Sequence, residues 1–262
     1  MTKSGDLWLT KSKLKAWLLF EMSRLVSIDA LKREMSMDEH PAWSIRDALT
    51  AFALVIVLSG VVTAILVALS GQEGGGDDPD AIILGVVGTA IGMLGGLAYA
   101  KTKAPWSAFA LRPCSLEWVL YAVAMVVPVL AFGYGWASLL EWLGMGTEPQ
   151  AYVDALLSSP DVVTLTIASV YGVLGAAIFE ELLFRGIIQP PMVARWGVWM
   201  GILAQGLIFG LMHMVDLWAI LPTAVIGCVA GWIRIKSGGL GAPIIFHAVN
   251  NTMALLLNAT MT

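Results

Sequence analysis

The residues most able to do chemistry lie in one short stretch, which reads Phe179-Glu180-Glu181-Leu182-Leu183-Phe184-Arg185. Two carboxylates and a guanidinium stand there at the end of an apolar run, Val162 to Phe179, that is long enough to enter a bilayer. Ionisable groups in a membrane span are costly and are usually kept for a function. This stretch is therefore the first candidate for a functional site.

Helical spacing sorts the two glutamates. Glu181 and Arg185 are four residues apart with the glutamate first, so their side chains can pair on one helix face. Glu180 points about 100° away around the helix and is less easily neutralised. A carboxylate without a strong partner suits a general base, so we expect Glu180 to be the chemical glutamate and Glu181 the structural one. For Glu181 and Arg185 alone, an ion pair that only locks the cytoplasmic end of the span is an equally good explanation.

Two of the three histidines also lie in apolar segments. His213 follows Phe209 by one helical turn, and His247 precedes Asn250 and Asn251 by three and four residues. Each of these polar groups alone is better explained by a hydrogen bond between helices. Their occurrence in the segments that also hold the strong acids favours one shared polar site.

Other hydrolase patterns do not account for the chain. The sequence contains neither the His-Glu-x-x-His zinc motif nor the Gly-x-Ser-x-Gly nucleophile elbow. Residues 74–77 match a Gly-x-Gly-Asp aspartyl pattern only formally, because they lie in a glycine-rich acidic loop. That loop is interpreted as a linker.

The elements that must position these groups are membrane helices. Apolar residues make up 58% of the chain, charged residues 13%, and the mean hydropathy is +0.80, whereas soluble domains are about half apolar and a quarter charged. We predict an all-α, polytopic transmembrane bundle of about seven spans. An N-terminal amphipathic helix on the inner leaflet would be an eighth helix, and a soluble helix packed on the protein's own loops is an equally good interpretation of that segment. The predicted spans are 48–70, 81–100, 117–143, 162–184, 196–214, 219–235 and 240–258.

The basic residues predict the orientation of this bundle. Eight of the fifteen lysines and arginines precede the first span, and the loops 71–80 and 144–161 carry none. The positive-inside rule then places the N-terminus in the cytoplasm and the C-terminus outside. Residues 1–46 are predicted to form a basic cytoplasmic or interfacial segment, and residues 47–262 a transmembrane domain.

One position conflicts with straight helices. His213 lies some sixteen residues into the fifth span, too far from the inner surface to meet Glu180. Either that span begins well inside the cytoplasm, or the turn at 213–222, with Asp216 and Pro222, is recessed below the outer face. The short sixth span favours the recessed turn, and we predict that His213 and Glu180 approach within water-bridging distance.

The motifs together resemble those of a known family. The chain is similar to the CPBP family of intramembrane proteases, the type II CAAX prenyl proteases also called the Abi family, in three ordered motifs: Glu180-Glu181-x-x-x-Arg185, Phe209-x-x-x-His213 and His247-x-x-x-Asn251. The resemblance covers the motif core, residues 162–258. Each motif alone is weakly specific, whereas all three in order on apolar helices are strongly specific.

The resemblance implies an intramembrane endopeptidase and a role for each motif residue. Glu180 and His213 would activate a water molecule, and His247 and Asn251 would stabilise the oxyanion. The residues that would support the site structurally are Glu181, Arg185 and Phe209.

The use of a metal stays open at this point. Glu180, His213 and His247 are a ligand set for a catalytic divalent ion such as zinc. In the metal-free alternative, which we favour slightly, Glu180 and His213 polarise the water. Glu180 is otherwise the only good base.

The expected substrate is a hydrophobic or lipidated peptide, such as a prenylated CAAX peptide, in a lipid bilayer, that of a prokaryotic plasma membrane. The net charge of −4 and the pI of about 5.3 argue against nucleic acid as a partner. Two alternatives are an inert immunity or scaffold protein of the same fold and, with less support, a small proton-coupled transporter.

Overall fold

The structure is a computed structural model that describes residues 41–71, 79–145, 162–214 and 217–261. The predicted amphipathic helix of the N-terminal segment lies outside these residues, as does Asp216. Within them the chain is helical and contains no strand. The predicted all-α class is therefore confirmed.

The helices follow the predicted apolar segments closely. In chain order they are α1 (Ile45–Ser70), α2 (Pro79–Lys103), a 3-10 helix (Trp106–Phe109), α3 (Leu116–Trp142), α4 (Val162–Val170), a first π segment (Tyr171–Gly175), α5 (Ala176–Glu181), a second π segment (Leu182–Ile188), α6 (Gln189–Trp196), α7 (Val198–Leu211), α8 (Ile220–Ser237) and α9 (Gly241–Met261).

Local sequence sets several of these boundaries. Ser44 caps α1 through a capping box, in which its side chain accepts from the Asp47 amide and the Asp47 carboxylate accepts from the Ser44 amide. Gly71 and Gly238 end α1 and α8 in the left-handed conformation, at φ values of 68° and 71°.

In the described part of the chain, length and composition qualify four helices as membrane spans: Ile45–Ser70, Ala81–Lys103, Leu116–Trp142 and Ile220–Ser237. Large apolar side chains such as Leu69 and Val127 are mostly exposed along them. A soluble protein rarely shows so much apolar surface, and a bilayer covers it. The chain is therefore an integral membrane protein built as a helical bundle.

Glycine residues of α2 allow it to pack closely against α1. A Cβ atom at Gly92 would lie 2.6 Å from the Val55 carbonyl oxygen, and one at Gly96 would lie 2.9 Å from that of Ala51. The two backbones touch along this line because no side chain separates them, as in other membrane helix pairs.

The segment predicted as span four runs further than expected. Helical structure continues from Val162 to Trp196 through both π segments, whereas the predicted span ended at 184. Gly197, at a φ of 81°, then separates α6 from α7. The polar stretch Phe179 to Arg185 therefore lies in the middle of a long helical run.

The helix of span five, α7, is short, and the recessed turn expected after it stays a prediction. Its 14 residues extend for only about 21 Å, less than the roughly 30 Å of a bilayer core. The turn after it is fixed to α3, since the Trp136 Nε1 atom donates to the Trp218 carbonyl at 2.9 Å. One detail was wrong: Pro222 lies in the first turn of α8, where its missing N–H is tolerated, and not in the turn.

Candidate active site

Three parts of the bundle carry the predicted site residues. The end of α5 and the second π segment carry the Glu-Glu-Arg group, α7 and the turn after it carry Phe209 and His213, and α9 carries His247 and Asn251. π segments interrupt helices most often at functional sites. Here one follows directly after Glu181.

The predicted pair of Glu181 and Arg185 is present. Arg185 Nη1 donates to Glu181 Oε1 at 2.7 Å, and both side chains have no exposed area. Arg185 Nη2 also donates to the Gly227 carbonyl oxygen of α8 at 2.9 Å. A buried ion pair is stable only when its remaining groups are also satisfied, and the α8 carbonyl contributes to this.

Glu181 also joins α5 to α9. The Nδ1 atom of His247 lies 2.9 Å from Glu181 Oε1, so the carboxylate accepts from the histidine ring as well as from Arg185. A carboxylate that receives one ring N–H fixes the orientation of the imidazole. The other ring nitrogen of His247 is therefore aimed in a set direction.

That direction is towards Glu180. His247 Nε2 lies 3.8 Å from Glu180 Oε2, and this oxygen is buried with no hydrogen-bond partner. The Glu180 side chain keeps 18% of its area exposed, whereas Glu181 keeps none. The two glutamates thus differ as expected from their spacing, with one pinned and one free.

Phe209 lies against three of the site's polar side chains. Its ring centroid is 4.7 Å from the Arg185 guanidinium carbon, 5.2 Å from the His213 ring and 5.8 Å from the His247 ring. A cation over an aromatic face is attracted by the ring quadrupole. Phe209 therefore both covers Arg185 and brings the two histidines to one region.

His213 presents one defined nitrogen. Its Nδ1 atom lies 3.0 Å from the Phe209 carbonyl oxygen. A carbonyl oxygen only accepts, so Nδ1 carries the proton and Nε2 of the neutral ring is an acceptor. Among the described residues no direct hydrogen bond or ion pair joins His213 to Glu180, and their approach across a water molecule stays a prediction.

Asn251 lies one turn beyond His247 and contacts the first π segment. Its Nδ2 atom donates to the Gly172 carbonyl oxygen at 2.9 Å. The carboxamide has two N–H groups, so this bond leaves one for another acceptor. Asn250, beside it, is buried, and its Oδ1 atom has no partner.

The three residues considered as zinc ligands do not form a metal site in the structure. Within the described ranges no group of three or more His, Cys, Asp or Glu side chains is arranged to hold a metal ion. Glu180 and His247 face each other, and the bond from Nδ1 of His213 to a backbone carbonyl leaves its Nε2 atom as the nitrogen that could bind a metal. The chemistry below is derived from the side chains alone.

Two buried glutamines were missed by the sequence analysis. Gln205 Nε2 donates to the Gly227 carbonyl oxygen at 2.7 Å, and Gln189 Nε2 donates to that of Gly231 at 2.9 Å. Gln189 follows Arg185 by four residues on an apolar helix, and this spacing could have placed it on the same helix face as Arg185.

Comparisons with known proteins agree with the motifs. Residues 162–253 match the family model described as "Type II CAAX prenyl endopeptidase Rce1-like". An "Uncharacterized 24.3 kDa protein" of Escherichia coli is 32% identical over 167 residues, which cover 61% of this chain and 72% of that protein. The "Putative membrane peptidase YdiL" of Bacillus subtilis (strain 168) is 26% identical over 144 residues, 53% of this chain and 56% of that protein. No solved structure matches.

The matched residues 162–253 contain all three motifs and every site residue described above. The chain belongs to the Rce1-like family of type II CAAX prenyl endopeptidases.

Proposed function

We propose that the protein is an intramembrane endopeptidase in which Glu180 and His213 activate a water molecule. The observation that carries the proposal is the difference between the two glutamates. Glu181 accepts from Arg185 and His247 through Oε1, although its Oε2 has no partner, while Glu180 Oε2 is buried, unpartnered and 3.8 Å from His247 Nε2. A carboxylate in this situation is suited to take a proton.

The two histidines have opposite hydrogen-bonding roles in this proposal. His213 donates through Nδ1 to the Phe209 carbonyl, which leaves Nε2 as an acceptor for a water proton. His247 has a carboxylate near each ring nitrogen. A carboxylate oxygen accepts a hydrogen bond, so in this proposal both ring nitrogens carry a proton. His247 therefore acts as the donor that stabilises negative charge, together with the second N–H of Asn251.

The reaction balances with these groups. His213 holds the water while one of its protons passes to Glu180 and its oxygen bonds to the substrate carbonyl carbon. The π electrons of the C=O bond move to the carbonyl oxygen, which becomes an oxyanion. His247 and Asn251 donate to that oxyanion. When it collapses, the C–N bond breaks and the proton on Glu180 passes to the leaving amine.

An apolar groove supports a hydrophobic peptide as substrate. It has a volume of about 810 Å³, lies between α1, α2 and the first π segment, and is lined by Ser59, Thr63, Tyr171 and Gly172 among others. Gly172, which lines the groove, is also the residue whose carbonyl oxygen accepts from Asn251. A prenyl or other lipid chain on the peptide suits such a surface.

The distribution of basic residues supports a cytoplasmic N-terminus and an external C-terminus. We propose that the protein lies in a prokaryotic plasma membrane, by analogy with its two relatives, which come from bacteria. A site open to the cytoplasmic half of the bilayer would then receive its peptides from that side.

The test is cleavage of a membrane-soluble peptide library by the purified full-length protein. The variants are Glu180→Gln and His213→Ala, and the control is Glu141→Gln, which changes an exposed glutamate at the end of α3. Cleavage by the wild type and the control alone would support the proposal. Equal cleavage by all four proteins, or cleavage by none while all stay folded, would overturn it, and the second result would favour the inert immunity or scaffold protein.

A further inference from the structure

A buried arginine without an acidic partner lies outside the Glu180 site. Arg234, in the last turn of α8, is only 8% exposed, and its neighbours Ile233 and Ile235 are also buried. Its Nε atom is buried and has no hydrogen-bond partner. An arginine keeps its charge in proteins, and a buried charge is costly unless it is compensated.

The fold brings a second arginine towards it. Arg112 lies on the loop between the 3-10 helix and α3, and this loop is fixed to the turn after α8. The Leu240 amide donates to the Ala110 carbonyl at 3.0 Å, and a Cβ atom at Gly239 would lie 3.2 Å from that of Arg112. Arg112 is then close enough for its charge to repel that of Arg234.

No carboxylate in the described ranges forms an ion pair with either arginine. Lys236 on the same helix end differs, since its ammonium lies 5.0 Å from the centroid of the Trp232 ring. The first turn of α9 adds to the positive potential, because Gly241 packs against the Arg112 carbonyl and helix N-termini carry partial positive charge. Two arginines and a helix N-terminus thus meet, and no carboxylate among the described residues pairs with them.

We propose that Arg112 and Arg234 bind the phosphate of an anionic phospholipid headgroup. Guanidinium groups match phosphate oxygens in charge and in geometry. The flanking Leu111 and Leu116 are 54% and 72% exposed, so an acyl chain can lie beside the same loop. This apolar border favours a lipid over free phosphate as the source. The site is independent of the proposed peptidase activity.

The experiment is thermal unfolding of the full-length protein in neutral detergent. Phosphatidylglycerol, phosphatidylcholine or inorganic phosphate is added to the wild type, Arg112→Gln, Arg234→Gln and the control Arg195→Gln, which removes an exposed arginine at the end of α6. We expect phosphatidylglycerol to raise the Tm of the wild type and the control by about 4 °C. We expect little rise in the other two variants and none for any protein with phosphatidylcholine.

The remaining outcomes are also decisive. An equal rise with inorganic phosphate would keep an anion site and overturn the lipid as its source. Equal rises in all four proteins, or a rise in none, would overturn the site. Should Arg234→Gln fail to fold, Arg112→Gln answers the question alone, because Arg112 is exposed and its replacement leaves no cavity.

Discussion

Gln205 and Arg185 donate to the same acceptor, the carbonyl oxygen of Gly227, at 2.7 and 2.9 Å. The glutamine comes from α7 and the arginine from the second π segment, so one α8 carbonyl ties three elements together. Arg185 in turn holds Glu181, which holds His247. A change at Gln205 therefore reaches the site through the Gly227 carbonyl.

We predict that Gln205→Ala lowers kcat about tenfold with little change in KM, because a supporting contact orients the reacting groups without touching substrate. Gln189→Ala is the matched control. This substitution removes an equally buried side-chain amide. That amide donates to the Gly231 carbonyl, one turn further along α8, and not to the carbonyl shared with Arg185. Steady-state cleavage kinetics and the Tm of both variants distinguish the two. Equal kcat values at equal loss of stability would show that Gln205 only packs.

Substitution of Glu181 should affect mainly stability, and substitution of Glu180 should affect mainly activity. Glu181→Gln leaves Arg185 buried beside a neutral group and should destabilise the protein by roughly 3–5 kcal/mol. Glu180→Gln removes an oxygen that has no hydrogen-bond partner, so the Tm should stay close to the wild-type value while kcat falls by roughly 10²–10⁴. Thermal unfolding and cleavage assays check both. A larger loss of Tm in Glu180→Gln than in Glu181→Gln would contradict the assignment.

Side-chain mimics can test the two faces of His213. Asparagine places an N–H near the Nδ1 position and glutamine places its polar group near Nε2. His213→Asn should keep the bond to the Phe209 carbonyl, and with it the Tm, but lose activity because the acceptor is gone. Retention of full activity in His213→Asn would exclude Nε2 from the reaction.

Chelation provides a separate test of the chemistry. If Glu180 and His213 activate the water without a metal, treatment with a chelator followed by desalting should leave kcat unchanged. Elemental analysis of the same sample gives the metal content. Loss of cleavage that zinc alone restores would contradict the metal-free mechanism.

The glycine contact between α1 and α2 predicts an effect on stability alone. Gly92→Ala forces a Cβ towards the Val55 carbonyl and should cost roughly 1–3 kcal/mol. Gly85→Ala on the same helix is the control, because nothing lies within 4 Å of the added atom, and it should be neutral or stabilising by up to about 1 kcal/mol. The free energy of unfolding in mixed micelles measures both. A similar change in the two variants would show that the close contact is not needed.

Local spacing made part of this site predictable. The pairing of Glu181 with Arg185, the relative freedom of Glu180 and the helical class all follow from residues a few positions apart and from hydropathy. The bond between His247 and Glu181 was not predicted, because it joins residues 66 positions apart. Helical spacing pairs Glu181 with Arg185 alone, whereas the Oε1 atom of Glu181 accepts from both Arg185 and His247.

The sequence pattern also did not predict where the helix of the fourth span ends. Hydropathy falls after Phe184, so a break was expected there, but the buried Arg185 and Gln189 find acceptors on α8 and the helix continues. A polar residue ends an apolar pattern without ending a helix when a neighbouring backbone satisfies it. Such compensation depends on tertiary contacts that spacing does not encode.

The second π segment gives the chain some freedom in length at this point. The backbone N–H of Gln189 donates to the Phe184 carbonyl, five residues back, so this turn holds one residue more than an α-helical turn. Deleting one of the three residues 186–188 would restore α-helical winding and leave the helix beyond it in phase. Gln189 would then still face its α8 acceptor. A relative with one residue fewer in this turn would therefore keep its motifs aligned.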